Sequence, residues 1–208
     1  MAAYEDNLPD TNLDKRTDAL GTSGKFVHES GDTRNTAEAA FSRRLCSNSV
    51  TIANQTARFA FWRAQRSGWV GSIKMFTAGT AAATVTTIKF GLYEADDAES
   101  TFTLKAVTAN DTALFAATNT VYSKAVTTGY KRTRGKLYAA GALFVGTTAP
   151  VVVAAPVLLG PVDSTSLAYN PSPISGVLSS ITDLPTSFTL STLTGGSANQ
   201  APYVELVP

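Results

Sequence analysis

From about residue 47 onward, apolar and polar residues alternate with a period of two. Phe59 and Phe61 alternate with Arg58 and Ala60, and Ile73 and Met75 with Ser72 and Lys74. Ile88, Phe90 and Leu92 alternate with Thr87, Lys89 and Gly91; Phe102, Leu104 and Ala106 alternate with Thr101, Thr103 and Lys105. Successive side chains of a strand point to opposite faces, so each run predicts a strand with one buried face. Phe188 and Leu190 repeat the pattern, and Val204 and Leu206 flank Glu205. Leu137 to Val145 is apolar without alternation, which predicts a strand covered on both faces. Turn signals separate the runs: Gly79-Thr80, Asp96-Asp97, Asn110-Asp111, Thr147 to Pro150, Asn170 to Pro173 and Gly195-Gly196. Many strands with short polar turns predict an all-β fold, an antiparallel β-sandwich of jelly-roll-like form, over residues 47–208.

Residues 1–46 read differently. They are polar and mixed in charge, with Glu5, Asp6, Asp10, Asp14, Lys15, Arg16 and Asp18 followed by Lys25, Glu29, Asp32 and Arg34. So few large apolar residues cannot offset the entropy of ordering the segment alone. The reading is a mostly irregular, extended N-terminal arm that needs a partner surface. Two short helical turns are predicted in it, Asp14 to Leu20 stopped by Gly21, and Thr36 to Leu45 capped by Asn35.

Composition narrows the function. The 208 residues carry a formal net charge of +1, with no basic excess of the kind that draws a protein to nucleic acid. The first residues lack the basic and apolar regions of a secretory signal. The longest apolar stretch, Pro150 to Pro161, is too short to span a bilayer and is interrupted by Pro156. The expectation is a chain made in a cytosol, with no membrane insertion and no nucleic-acid partner.

Candidate chemistry is sparse. Cys46 is the single cysteine and His28 the single histidine. A Ser-His-Asp triad would have to use His28, which sits in the arm, and a two-histidine metal site cannot come from one chain. Cys46 reads as a small apolar residue rather than a nucleophile. Gly21 to Lys25 lacks the full spacing of a phosphate loop. Glu94, Asp96, Asp97 and Glu99 form the one acidic cluster; a solvated hairpin tip is preferred over a calcium loop or a glycosidase pair. Tyr130 to Lys136 is the densest basic run and reads as a solvated loop or an intersubunit ion-pair site. Trp62 and Trp69 flank Arg63 and Arg66; packing is preferred over sugar stacking. No catalytic, cofactor-binding or metal-ligating residue is assigned, no cofactor is expected, and the chain is not expected to be an enzyme.

Several stretches carry a family likeness. They are Ser47 to Ile52, Arg58 to Arg63, Gly71 to Ala81, Ile88 to Tyr93, Leu104 to Ala117 and Gly135 to Leu143. Gly91-Leu92-Tyr93, followed by an acidic turn and then Asn110-Asp111-Thr112, is the most specific element. From Asn48 to about Pro150 the chain resembles the β-sandwich domain of minor tail proteins of phages that infect actinobacteria. The resemblance implies a virion structural protein, a tail, baseplate or fibre component with a role in host adhesion. A head decoration protein and a carbohydrate-binding module are the alternatives.

Partners follow from that reading: other virion proteins through the arm, a host cell-surface glycan, and copies of the same chain, with a trimer favoured. The trimer rests on virion symmetry and on two apolar runs, Leu137 to Val145 and Val151 to Leu159. Pro150, Pro156 and Pro161 mark the second run as a segment laid along a neighbour rather than a central strand.

Overall fold

The computed structural model describes residues 37–156, 174–194 and 200–208. These belong to a compact unit that begins at Asn35. The strands are β1 (Glu38–Ala39), β2 (Asn48–Thr51), β3 (Thr56–Arg63), β4 (Gly68–Phe76), β5 (Ala83–Ala95), β6 (Thr101–Val107), β7 (Val121–Arg132) and β8 (Leu137–Thr148). They continue with β9 (Val151–Pro156), β10 (Ser175–Ser179), β11 (Ser187–Thr189), β12 (Gln200–Pro202) and β13 (Val204–Val207). Single 3-10 turns occur at Arg43–Leu45 and Leu190–Thr192, and no α-helix is present among the described residues.

Three antiparallel sheets result. Their orders are β1-β13-β4-β7, β10-β3-β8-β5-β6-β11 and β12-β9-β2. Between β3 and β8 the chain crosses to the four-stranded sheet at β4 and again at β7, with the β5–β6 hairpin kept in the six-stranded sheet, a sheet-switching path of the kind found in β-sandwiches. The main core lies between the sheets. Val70, Ile73, Met75, Val204 and Leu206 of the four-stranded sheet meet Ile88, Phe90, Leu92, Tyr138 and Phe144 of the six-stranded one. Val50, Val152, Ala154 and Ala201 of the three-stranded sheet join the same core.

A second apolar cluster covers the opposite face of the six-stranded sheet. Ala57, Phe59, Phe61, Tyr93, Phe102, Leu137 and Leu143 pack there against Leu178, Leu184 and Phe188. Phe188 is the hub, with ring centroids 5.2 Å from Phe59, 5.2 Å from Phe102 and 4.9 Å from Tyr93. The Tyr93 hydroxyl, at the edge of this cluster, donates to the Pro185 carbonyl at 2.9 Å. Clustered aromatics bury large areas and gain from edge and stacked contacts. They hold the segment after β10 onto the sheet.

This cover explains one departure from the sequence reading. β3 is buried on both faces along its length, except at Arg63, because Phe59 and Phe61 enter the second cluster while Ala60 and Trp62 enter the main core. The one-faced pattern expected there set Arg58 and Ala60 on the unburied face, and the alternation alone could not anticipate that both faces would be covered. β8, expected to be covered on both sides, is.

Four further expectations change. The helical turn over Thr36 to Leu45 is absent from residue 37 onward: β1 pairs with β13, and only Arg43–Leu45 turns, as a 3-10 turn with the Ser42 hydroxyl accepting from the Arg44 amide. So short a helix cannot stand alone, and sheet pairing wins. The arm therefore does not extend to residue 46, because Glu38–Ala39 is already part of the four-stranded sheet. Val151–Pro156 is the central strand of the three-stranded sheet rather than a segment laid along a neighbour. Pro156 is its last residue, so the proline ends the strand rather than interrupting it. Leu190 belongs to a 3-10 turn rather than to the strand that holds Phe188. The turn over Asp14 to Leu20, Leu158, Leu159, Pro161 and the turns at Asn170 to Pro173 and Gly195-Gly196 lie outside the described residues.

Close approach of β3 and β8 fixes one residue type. Gly141 pairs with Phe59, and a Cβ at Gly141 would lie 1.8 Å from the Arg58 carbonyl oxygen. Gly79, by contrast, has open space around it. Gly141→Ala is expected to destabilise the domain by more than about 3 kcal/mol, whereas Gly79→Ala changes stability by less than about 0.5 kcal/mol. Urea unfolding of the two variants makes the comparison; equal midpoints would contradict the tight β3–β8 contact.

Candidate functional site

The acidic cluster does not converge on a common point. Asp96 folds back over its own turn, accepting from the Ser100 amide at 2.9 Å and the Thr101 amide at 3.2 Å, and these bonds hold its carboxyl below the ordinary carboxylate range. Asp97 pairs with Lys136, and Glu99 pairs with Arg63 at 2.6 Å. These three carboxylates are a hairpin tip, each with its own partner. Glu94 lies on β5 and accepts from the hydroxyls of Tyr130 and Tyr138, the latter at 2.7 Å. Burial and the bond to Glu94 push the Tyr130 hydroxyl up to about 12, and burial pushes Tyr138 further in the same direction.

The basic run also disperses. Arg132 is fully buried, and its Nε donates to Glu38 Oε2 at 3.1 Å and to the Arg66 carbonyl at 3.2 Å. Glu38, 8% exposed, accepts in addition from Trp62 Nε1 at 3.2 Å and from the Gln65 amide at 2.8 Å. One carboxylate thus ties β1, β3, the β3–β4 turn and β7 together. Trp62 is a core residue, as expected, while Trp69 on β4 is 53% exposed. Cys46 is half-buried, and desolvation raises its thiol pKa, which disfavours the reactive thiolate. His28 and Gly21 to Lys25 lie outside the described residues.

The Asn110-Asp111-Thr112 block braces the backbone. Asn110 Oδ1 accepts from the Ile88 amide at 2.9 Å, and its Nδ2 donates to the Thr86 carbonyl at 3.0 Å. Thr108 Oγ1 accepts from the Phe90 amide at 3.0 Å. Side chains therefore satisfy the β5 backbone next to the end of its β6 ladder. Asp111 accepts from the Ala113 amide at 3.0 Å and pairs with Lys124 at 2.6 Å, which lowers its pKa.

One feature had no sequence signal. A cavity of about 440 Å³ opens between β2, the start of β3 and β10. Ser49, Thr51, Thr56, Ser179, Thr194 and Gln200 give it a polar wall, and Arg58 lines it. Arg58 alternates in sequence with Phe59 and Phe61, so it read as the solvent face of β3, yet it is 6% exposed. Its Nη1 donates to the Thr51 carbonyl at 3.2 Å; its Nε and Nη2 are buried without a hydrogen-bond partner. Only the three-dimensional juxtaposition of β2 and β10 beside β3 creates the site. Among the described residues, no group of three or more His, Cys, Asp or Glu is placed to hold a metal ion.

Two outcomes follow for this network of charges and hydroxyls. Glu38→Ala leaves Arg132 buried without its carboxylate and is expected to cost about 3–5 kcal/mol, read as a shift in the urea midpoint at constant slope. A loss below about 1 kcal/mol would mean the pair is not desolvated as described. The second outcome concerns pH. The Tyr130 hydroxyl is held above its ordinary value of 10, so its contribution to stability is full below pH 10 and is lost as pH rises toward about 12. Unfolding midpoints taken across that window should fall, and Tyr130→Phe should flatten the fall; an unchanged slope in the variant would assign the effect elsewhere.

No protein-family model matches this chain, and no curated protein is detectably similar to it in sequence.

Proposed function

We propose that this chain is a structural component of a bacteriophage virion, placed in the tail or baseplate. The observation that carries the reading is where the family-like stretches fall. From Asn48 to about Pro150 they cover β2 through β8, the framework of the sandwich. The most specific of them, Gly91-Leu92-Tyr93 with the acidic turn and Asn110-Asp111-Thr112, brace strands and cap turns. A likeness concentrated on framework is what a shared structural module produces; an enzyme family would concentrate it around a pocket.

The remaining features suit such a role. A sheet with apolar cover on both faces resists local opening, and a virion appendage works outside the protection of the cell. Residues 1–34 are polar and mixed in charge, the composition of a segment that orders on a partner. That segment attaches the module to another virion protein. A trimer remains part of the reading on the symmetry of tail platforms. The apolar argument for it narrows, since Leu137 to Phe144 and Val152, Ala154 and Ala155 of β9 are buried within one copy, while Val157 to Leu159 lie outside the described residues.

Gold-labelled antibody against the chain, applied to virions from an infected actinobacterial culture, tests the reading. Tail or baseplate labelling at low copy number is expected, and deletion of residues 1–34 should abolish it while the purified domain keeps its unfolding midpoint. Capsid labelling would move the chain to head decoration, and intact virions free of label and of its peptides by mass spectrometry would overturn the virion reading.

A further inference from the structure

We propose that the cavity beside Arg58 is a binding site for an oxyanion carried on a polyhydroxy body, an acidic or phosphorylated sugar unit. Arginine stays protonated in proteins, so a buried Arg needs acceptors for its N–H groups. Arg58 has one, the Thr51 carbonyl at Nη1. The two nitrogens left buried and without partners are Nε and Nη2. Their N–H bonds lie along one edge of the planar group and run parallel, the fork that receives the two oxygens of a carboxylate or phosphate. The unused donors are therefore a matched pair for a bidentate oxyanion, not two scattered vacancies.

The surroundings leave that pair unclaimed, and because both nitrogens have almost no accessible surface, the ligand engages them through a shift of the Arg58 side chain toward the cavity. No carboxylate lines the cavity among the described residues. The other buried cation of the described residues, Arg132, pairs with Glu38, whereas Arg58 has no acid partner and lines a cavity. Desolvation pulls its pKa down, the direction that an incoming anion would reverse.

The wall selects the rest of the ligand. The hydroxyls of Ser49, Thr51 and Ser179 and the Gln200 amide can both donate and accept hydrogen bonds, as ring hydroxyls require, while the Thr56 and Thr194 hydroxyls, which donate to the Asn54 and Val177 carbonyls, keep lone pairs that accept. Val50 and Val177 provide apolar surface for the C–H faces of a ring. A volume of about 440 Å³ falls in the range of small-molecule sites and holds one or two sugar rings. The site is independent of the virion reading: it would stand in any β-sandwich module, and its failure would leave that reading untouched.

Isothermal calorimetry on the full chain tests it with defined probes: glucuronate, glucose 6-phosphate, glucose, acetate and inorganic phosphate. Glucuronate, glucose 6-phosphate or both should bind, at least about tenfold more tightly than glucose, acetate or phosphate. Which of the two binds tells a carboxylate source from a phosphate source. Arg58→Met should abolish the binding while keeping the fold, since it replaces a buried unpaired charge with an apolar chain of similar length. Ser179→Leu narrows the cavity and leaves Arg58 in place, so it should weaken binding even if Arg58→Met proves unstable. Three results would overturn the proposal. They are no binding by either sugar acid, binding that survives both substitutions, and acetate or phosphate binding as tightly as the sugar acids, which would leave an adventitious ion only.

Discussion

The pairing of Glu38 with Arg132 sets where this domain begins. Both side chains are withdrawn from water, and neither charge would be tolerable there without the other. The carboxylate spends its remaining acceptor capacity on the Trp62 indole and the Gln65 amide, so β1, β3, the β3–β4 turn and β7 share one electrostatic centre. The position of β1 beside β13 depends on it, because a two-residue strand has little ladder of its own. Sheet pairing, the burial of Trp62 and the orientation of Arg132 are consequences of the same ion pair.

The six-stranded sheet gives the domain a second kind of constraint. Its inner face packs into the main core, and its outer face carries a second apolar cluster to which its own edge strands β10 and β11 contribute Leu178 and Phe188 and the segment between them Leu184. β3 and β8 approach so closely at Gly141 that no side chain fits between them. Packing of this kind makes the sheet a rigid base against which the edges, β10 and the three-stranded sheet, can form a cavity. The polar wall beside Arg58 lies at that edge, where backbone geometry rather than side-chain chemistry brings distant segments together.

Much of the architecture could be read along the chain. Ile88, Phe90 and Leu92 announced β5, Leu137 to Val145 announced a strand with two covered faces, and Asp96-Asp97 announced a hairpin tip. Those features are local: period, propensity and turn chemistry suffice for them. What escaped depends on partners remote in sequence. Glu38 joins a strand because Arg132, nearly a hundred residues away, needs a carboxylate. The apolar run from Val151 looked surplus because its cover, Asn48–Thr51 and Gln200–Pro202, is short and polar in sequence yet pairs on both sides. Arg58 looked like a solvent-facing residue of an alternating strand, and nothing in its neighbours could tell that β2 would close over it. The sequence also suggested a helical turn over Thr36 to Leu45, capped by Asn35; tertiary pairing overrode that local signal.

The placement of Glu38 has a mechanical consequence. Tension applied to the chain ahead of residue 37 enters the fold through β1, whose two residues offer few ladder bonds to share the load. The next resistance is the carboxylate's grip on Trp62, Gln65 and Arg132. Those contacts are short-ranged, so they hold stiffly over a small extension and then release together. Once they release, β1 can peel away while β13 stays paired with β4. The domain thus carries a fuse at its leading edge: a pull strong enough to part the ion pair lengthens the tether by a few residues before either large sheet bears the force.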